Sequence, residues 1–174
     1  MSPLPRPRSV TAARRAAVAG AVLLTLVLAS GARAQRGASP PMSHAEMGMG
    51  FNQDSAQHHF RLYTDGGAIE VVAKDPADHT TRDEIRMHLR HLAQMFADGD
   101  FSTPMFVHEP EHVPGTAVLI ERRRTIQYRY ADVANGGRVN IVTRDSVALA
   151  ALHDFLRYQI TAHRTGDPVR PMRH

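Results

Sequence analysis

Histidine and methionine are the residue types through which this chain could do chemistry. The stretch MSHAEMGMGFNQDSAQHHF, residues 42 to 60, holds three methionines and three histidines, and all eleven histidines of the 174 residues lie beyond position 43. Neutral imidazole nitrogen and thioether sulfur suit copper: histidine serves both oxidation states, and methionine favours the softer Cu(I). His44, Met47 and Met49, followed by His58 and His59, fit a flexible arm that collects copper or nickel. Ordering each residue of such an arm costs about 1–2 kcal/mol, so it would bind weakly and exchange readily. A solvated leader ahead of a folded domain is the competing reading.

Two tighter groups stand on predicted helices. His88, His91 and Met95 are spaced i, i+3 and i+7, a row in which neighbouring side chains can meet. The same row also suits amphipathic side chains at the edge of a core, with Met95 simply packing. His153 and His163 share the side of Leu149, Leu156 and Ile160, but ten helical residues span about 15 Å. They therefore need help from other elements to hold one ion. His59 on the opening strand, or His108 and His112 in a proline-rich loop, could supply it. A histidine in an apolar stripe needs a partner, and a backbone carbonyl or carboxylate is the commoner one.

Enzyme templates are nearly empty. The chain has no cysteine, no glycine-rich phosphate loop and no G-x-S-x-G elbow. Its HEPEH, His108 to His112, spells H-E-x-x-H, but Pro110 prevents the helical i, i+4 geometry that the zinc motif needs, and a surface loop is its default reading. A small hydrolase or isomerase would have to use a pair such as His153 with Asp83 or Glu84, within hydrogen-bond reach across two helices.

The elements that must position these groups follow from period and punctuation. HHFRLYTDGGAIEVVAK reads as a hairpin, Phe60 and Leu62 on one face of the first strand, Ile69 and Val71 on one face of the second, with the glycines supplying positive φ at the turn. A helix follows, with Thr81 and Glu84 as a capping box, a stripe of Ile85, Leu89, Leu92 and Phe96, and a stop at Gly99. FSTPMFVHEPEHVPG breaks regularity, and TAVLIERRR suits either a strand or a short helix, the strand favoured because it leads straight into TIQYRYADV. TIQYRYADV and RVNIVT flank Asn135-Gly136-Gly137 as a second hairpin. Asp145-Ser146 then opens a helix with the stripe Leu149, Leu152, Leu156 and Ile160, stopping at Gly166-Asp167-Pro168. The Gly-Gly pairs and the helix-ending Gly-Asp pairs recur at nearly equal offsets, which points to a duplicated ββα unit, about 58–100 and 125–167. The expected fold is α+β: an antiparallel sheet of four to five strands with two helices on one face.

The first 34 residues read as a secretory signal peptide, with a basic start, the apolar run Ala16 to Ser30 and the small-x-small site Ala32-Arg33-Ala34. Residues 35–57 read as the flexible arm, 58–168 as one domain and 169–174 as a tail. Removing the signal leaves about 140 residues, enough for one domain with a real core. It also removes five of the 21 Lys and Arg and none of the 17 Asp and Glu, so the remainder is nearly neutral. The basic balance belongs to the export signal and gives no support for nucleic acid as a partner. A periplasmic or secreted location is expected, without a stable membrane anchor after cleavage.

At MGFNQDSAQHHFRL, DGGAIEV, RMHLRHLAQMFADGDF and LHDFLRYQITAHRTGDP the chain resembles a group of short exported bacterial proteins of uncharacterised activity. The resemblance spans nearly all of residues 47 to 168 and implies no particular fold or activity. The label aspartate carbamoyltransferase, carried by some of that group, finds no support in the residues. About 140 residues cannot supply two substrate domains, and no Ser-Thr-Arg-Thr phosphate-binding turn is present. The sequence thus points to an exported copper-binding protein for sequestration or handover in the cell envelope, to an envelope partner protein in such a handover, and, as an alternative, to a metal-free module for a small ligand or a partner protein.

Overall fold

Alternating inward and outward side chains build the strands. β1 (Ala56–Tyr63) turns Ala56, His58, Phe60 and Leu62 inward, and β2 (Gly66–Ala73) matches them with Ile69 and Val71. β3 (Ile126–Val133) and β4 (Gly136–Thr143) form the second hairpin. The computed structural model describes residues 49–108 and 112–173. The expected signal peptide, most of the expected arm with His44 and Met47, and residues 109–111 lie outside the described residues.

The four strands form one antiparallel sheet in the order β1-β2-β4-β3. Inward side chains run in rows across it: Phe60 pairs with Ile69, Ile69 with Val139 and Val139 with Tyr130. β1 to β3 and β2 to β4 are each separated by 70 residues, Ala56 to Ile126 and Gly66 to Gly136. The order β-β-α thus occurs twice, as the offsets in the sequence suggest.

Two long helices, α1 (His79–Asp98) and α4 (Ser146–Ala162), cover one face. They cross over: α1 packs chiefly on β3 and β4, and α4 on β1 and β2. The expected α1 stripe is buried in full, and so are Leu152, Leu156 and Ile160 of α4. Leu149 is only half-buried, with Ala148 and Phe155 filling the core beside it. Gly99 ends α1 in the left-handed region at φ 84°, and Asp145 caps α4 by accepting from the Val147 and Ala148 amides.

Four local expectations change. The α1 cap is Asp78, whose carboxylate accepts from the Thr81 amide at 2.9 Å, so Thr81 lies inside the helix. The hairpin glycines do not supply positive φ; Gly50, Gly99, Gly115 and Gly166 do. Their role is close approach. A Cβ on Gly66 would meet the Ile141 carbonyl, one on Gly136 the Val71 carbonyl, and one on Gly67 the Leu156 side chain. Residues 116–121 form a helix, α3 (Thr116–Glu121), rather than a strand. Thr116 and Leu119, three apart, are both buried, and α3 packs on α4. Between the loop and α3 the chain passes α4 so closely that a Cβ on Gly115 would strike the Ala151 carbonyl. Finally, the irregular stretch contains α2 (Ser102–Val107), with Pro104 in its first turn, where the missing amide costs nothing.

The structured domain also begins earlier than residue 58. Phe51 is buried, Gln53–Ser55 makes a 3-10 turn capped by Asn52, and β1 starts at Ala56. At the other end Met172 pairs in parallel with Tyr63: its amide donates to Leu62 and its carbonyl accepts from Thr64. Among the described residues no helix is long and apolar enough to cross a membrane.

Candidate histidine cleft

Four segments carry histidines to one place. His58 shares the inward parity of Phe60 and Leu62 on β1. His88 follows buried Ile85 by three residues and precedes buried Leu92 by four, so it leans to the core side of α1. His108 ends α2 and His163 ends α4. Together with Met49 these four histidines line one cleft, whose remaining wall is largely apolar: Phe60, Val71, Leu92, Phe96 and Phe155. The free space is about 40 Å³, room for an ion and a water or two.

The ring geometry is close. His58 and His163 stack with centroids 5.0 Å apart and planes 25° apart, and His108 meets His163 edge-on at 5.2 Å. Phe51 closes the other side, stacked on His58 at 6.0 Å and edge-on to His88 at 5.6 Å. His108 Nε2 lies 3.1 Å from the Gln159 amide oxygen, to which it donates as the N–H tautomer.

Burial decides the protonation. It pushes His58 down to about 3, helped by the neighbouring His163 and His88. It holds His88 and His163 at about 4, with His91 and His108 adding to the respective shifts. At neutral pH these three rings therefore present lone pairs rather than positive charge. His58 Nε2 and the Gln159 amide nitrogen are buried with no hydrogen-bond partner. An unmet buried donor or acceptor costs about 1–3 kcal/mol, and both residues line this cleft.

The other candidates are placed elsewhere. His153 is 9% exposed, and its Nε2–H donates to the Tyr63 and Gly66 carbonyls at 2.9 and 3.1 Å, tying α4 to the first hairpin turn. His59 points to the opposite side of β1 from His58. Its Nδ1 lies 3.0 Å from Asp167, whose other oxygen accepts from the Phe60 amide. His91 and His112 are exposed. Met95 accepts a hydrogen bond from Thr103 at 3.8 Å. Of the row His88, His91 and Met95, only His88 lines the cleft. The pair needed for a hydrolase is not made either, because Asp83 faces Arg82 and Arg86 while His153 is committed to carbonyls.

Of the sequence candidates, the structure brings His88 and His163 together with Met49, His58 and His108. Gln159 of the wall and Phe51, packed on His58 and His88, carry no signal of their own in the sequence. His58 could have been ranked above His59 by parity alone, since positions 58, 60 and 62 share a face. Among the described residues no three histidines or carboxylates are already drawn together tightly enough to hold a metal ion. Comparison of the chain with protein-family models, with curated proteins and with solved structures finds no match.

Proposed function

We propose that this is an exported protein that binds a soft transition-metal ion, Cu(I) first, in the cleft of His58, His88, His108, His163 and Met49, for sequestration or handover in the cell envelope. The observation that carries this reading is the gathering of four imidazoles and a thioether, from five separate stretches of chain, around a small space. Three of the imidazoles are held neutral there by burial, and one keeps an unpartnered nitrogen. Soft, low-coordinate Cu(I) needs no preformed cage of four ligands, so a pair of imidazoles with the Met49 sulfur suffices. The apolar wall disfavours a hydrated divalent ion and shields Cu(I) from water.

Size weighs against the alternative of a small organic ligand in the same cleft. Such ligands occupy roughly 300–1,000 Å³, against about 40 Å³ here.

The test is a competition titration of the protein with Cu(I) against a chromophoric chelator, alongside zinc and nickel. One equivalent of Cu(I) is expected. His58→Gln and His163→Gln should each weaken binding at least about tenfold, or about 1.4 kcal/mol, while His91→Gln leaves it unchanged. Sub-stoichiometric binding at micromolar Cu(I), or equal loss in the His91 variant, overturns the proposal.

A further inference from the structure

A second recess lies against the same two histidines. It is polar, about 330 Å³, and is lined by Gln53, Gln57, Lys74, Arg164 and Thr165, with His58 and His163 shared with the copper cleft. No carboxylate is among its lining residues, and two of the side chains are cationic. Its volume falls in the range that holds a small organic molecule, which the cleft behind it does not.

Arg164 is fixed at the end of α4. It is the one non-glycine residue among those described with a positive φ, 52°, and it closes the helix: its amide donates to the Thr161 carbonyl and the Thr165 amide to the Ile160 carbonyl, a pairing that calls for a left-handed residue here. Lys74 is held as well, its Nζ donating to the Asp54 carbonyl at 2.9 Å and leaving two N–H groups for a ligand. His58 Nε2, buried and unpartnered, belongs to the wall common to both spaces.

We infer that this recess binds a small oxyanion of charge −2, a dicarboxylate or a phosphate, between Lys74 and Arg164. The guanidinium offers a two-pronged donor matched to a carboxylate or phosphate, the ammonium a point charge, and Gln53, Gln57 and Thr165 neutral donors. The anion site stands on its own residues and does not require that the cleft behind it bind copper.

The test is done on the metal-free protein at low salt, following the ring C–H resonances of His58 and His163. Succinate and inorganic phosphate are the two probes, and uncharged succinamide is the control. A saturable shift with succinate or phosphate is expected, the tighter of the two naming the source of the oxyanion. Lys74→Gln and Arg164→Gly should each weaken it about tenfold, the loss of one charge-assisted contact. Arg164→Gly should at the same time hold or raise the melting temperature, because glycine relieves the backbone. Shifts that never saturate, that succinamide reproduces, or that keep their midpoint in both variants overturn the inference. Because no copper is present, a failure here leaves the copper reading to its own titration.

Discussion

The two hairpins are built alike, yet only the first faces a cluster of histidines. The repeat offset that maps β1 onto β3 sets His58 against Tyr128, each paired to an equivalent residue, Val71 and Ile141, of the neighbouring strand. Both positions hide an unpartnered polar atom, His58 Nε2 and the Tyr128 hydroxyl. Burial shifts both in the direction that keeps them neutral: His58 falls, and the Tyr128 phenol rises well above its usual range. The surroundings differ. His58 has His163, His88 and Phe51 around it, whereas Tyr128 sits edge-on to Phe96 at 5.8 Å. One architecture thus offers an inward polar position twice, and a histidine cluster arises only where neighbouring elements bring more nitrogen to it.

The comparison breaks most readily with acid. His58, His88 and His163 have folded-state values below the ordinary 6.5, so the unfolded chain binds more protons between about pH 6.5 and 4. Their contribution is present in full above 6.5 and is lost as pH falls toward the folded values. Each histidine gives a slope of up to about 1.4 kcal/mol per pH unit, and a loss of about 4 kcal/mol between pH 6.5 and 5 is expected for the three together. Denaturant melts across that range measure it, and amide exchange should rise in β1 before β4. A flat profile would remove the electrostatic distinction between the halves.

A smaller effect sharpens the likeness instead. Gly66→Ala and Gly136→Ala each drive a Cβ into a carbonyl of a neighbouring strand, of Ile141 and Val71 respectively. Each should cost about 3 kcal/mol by overpacking, and by a similar amount if the two sites are true counterparts. Urea unfolding of both variants decides it. A difference of more than about 2 kcal/mol between them would mean that the strand crossings are not equivalent.

The smallest expected effect is the most discriminating. Tyr128→Phe and His58→Leu each remove an orphaned polar atom, so each should leave the metal-free protein within about 1 kcal/mol of its starting stability, or raise it. Only the His58 variant should lose Cu(I). If Tyr128→Phe weakens copper as much, the second half takes part in the site.

Much of this fold is legible in the sequence because its signals are periodic. The α1 stripe and the alternation in β1 follow from a side chain's fixed direction on a helix or strand, and the repeated Gly-Gly spacing from the close approach of neighbouring strands at Gly66 and Gly136. The site is less so. His59 and His153 rank above His58 and His108 in the sequence until the Asp167 carboxylate and the Tyr63 and Gly66 carbonyls are found beside them. Those partners come from distant parts of the chain, and a window of neighbouring residues cannot show them. TAVLIERRR fails for a related reason. Its β-branched residues favour a strand, but Thr116 and Leu119, three apart, are buried where the segment packs on α4, and that selects the helix.

The crossing of the helices has a consequence for assembly. α1 covers the strands of the later half and α4 those of the earlier half, so neither ββα segment can bury its own apolar face unaided. His58 enters near the start of the domain and His163 near its end, beside a tail that Met172 fastens to Tyr63. A partly synthesised copy therefore has scattered histidines and no cleft, and the cleft is complete only when the last helix has docked.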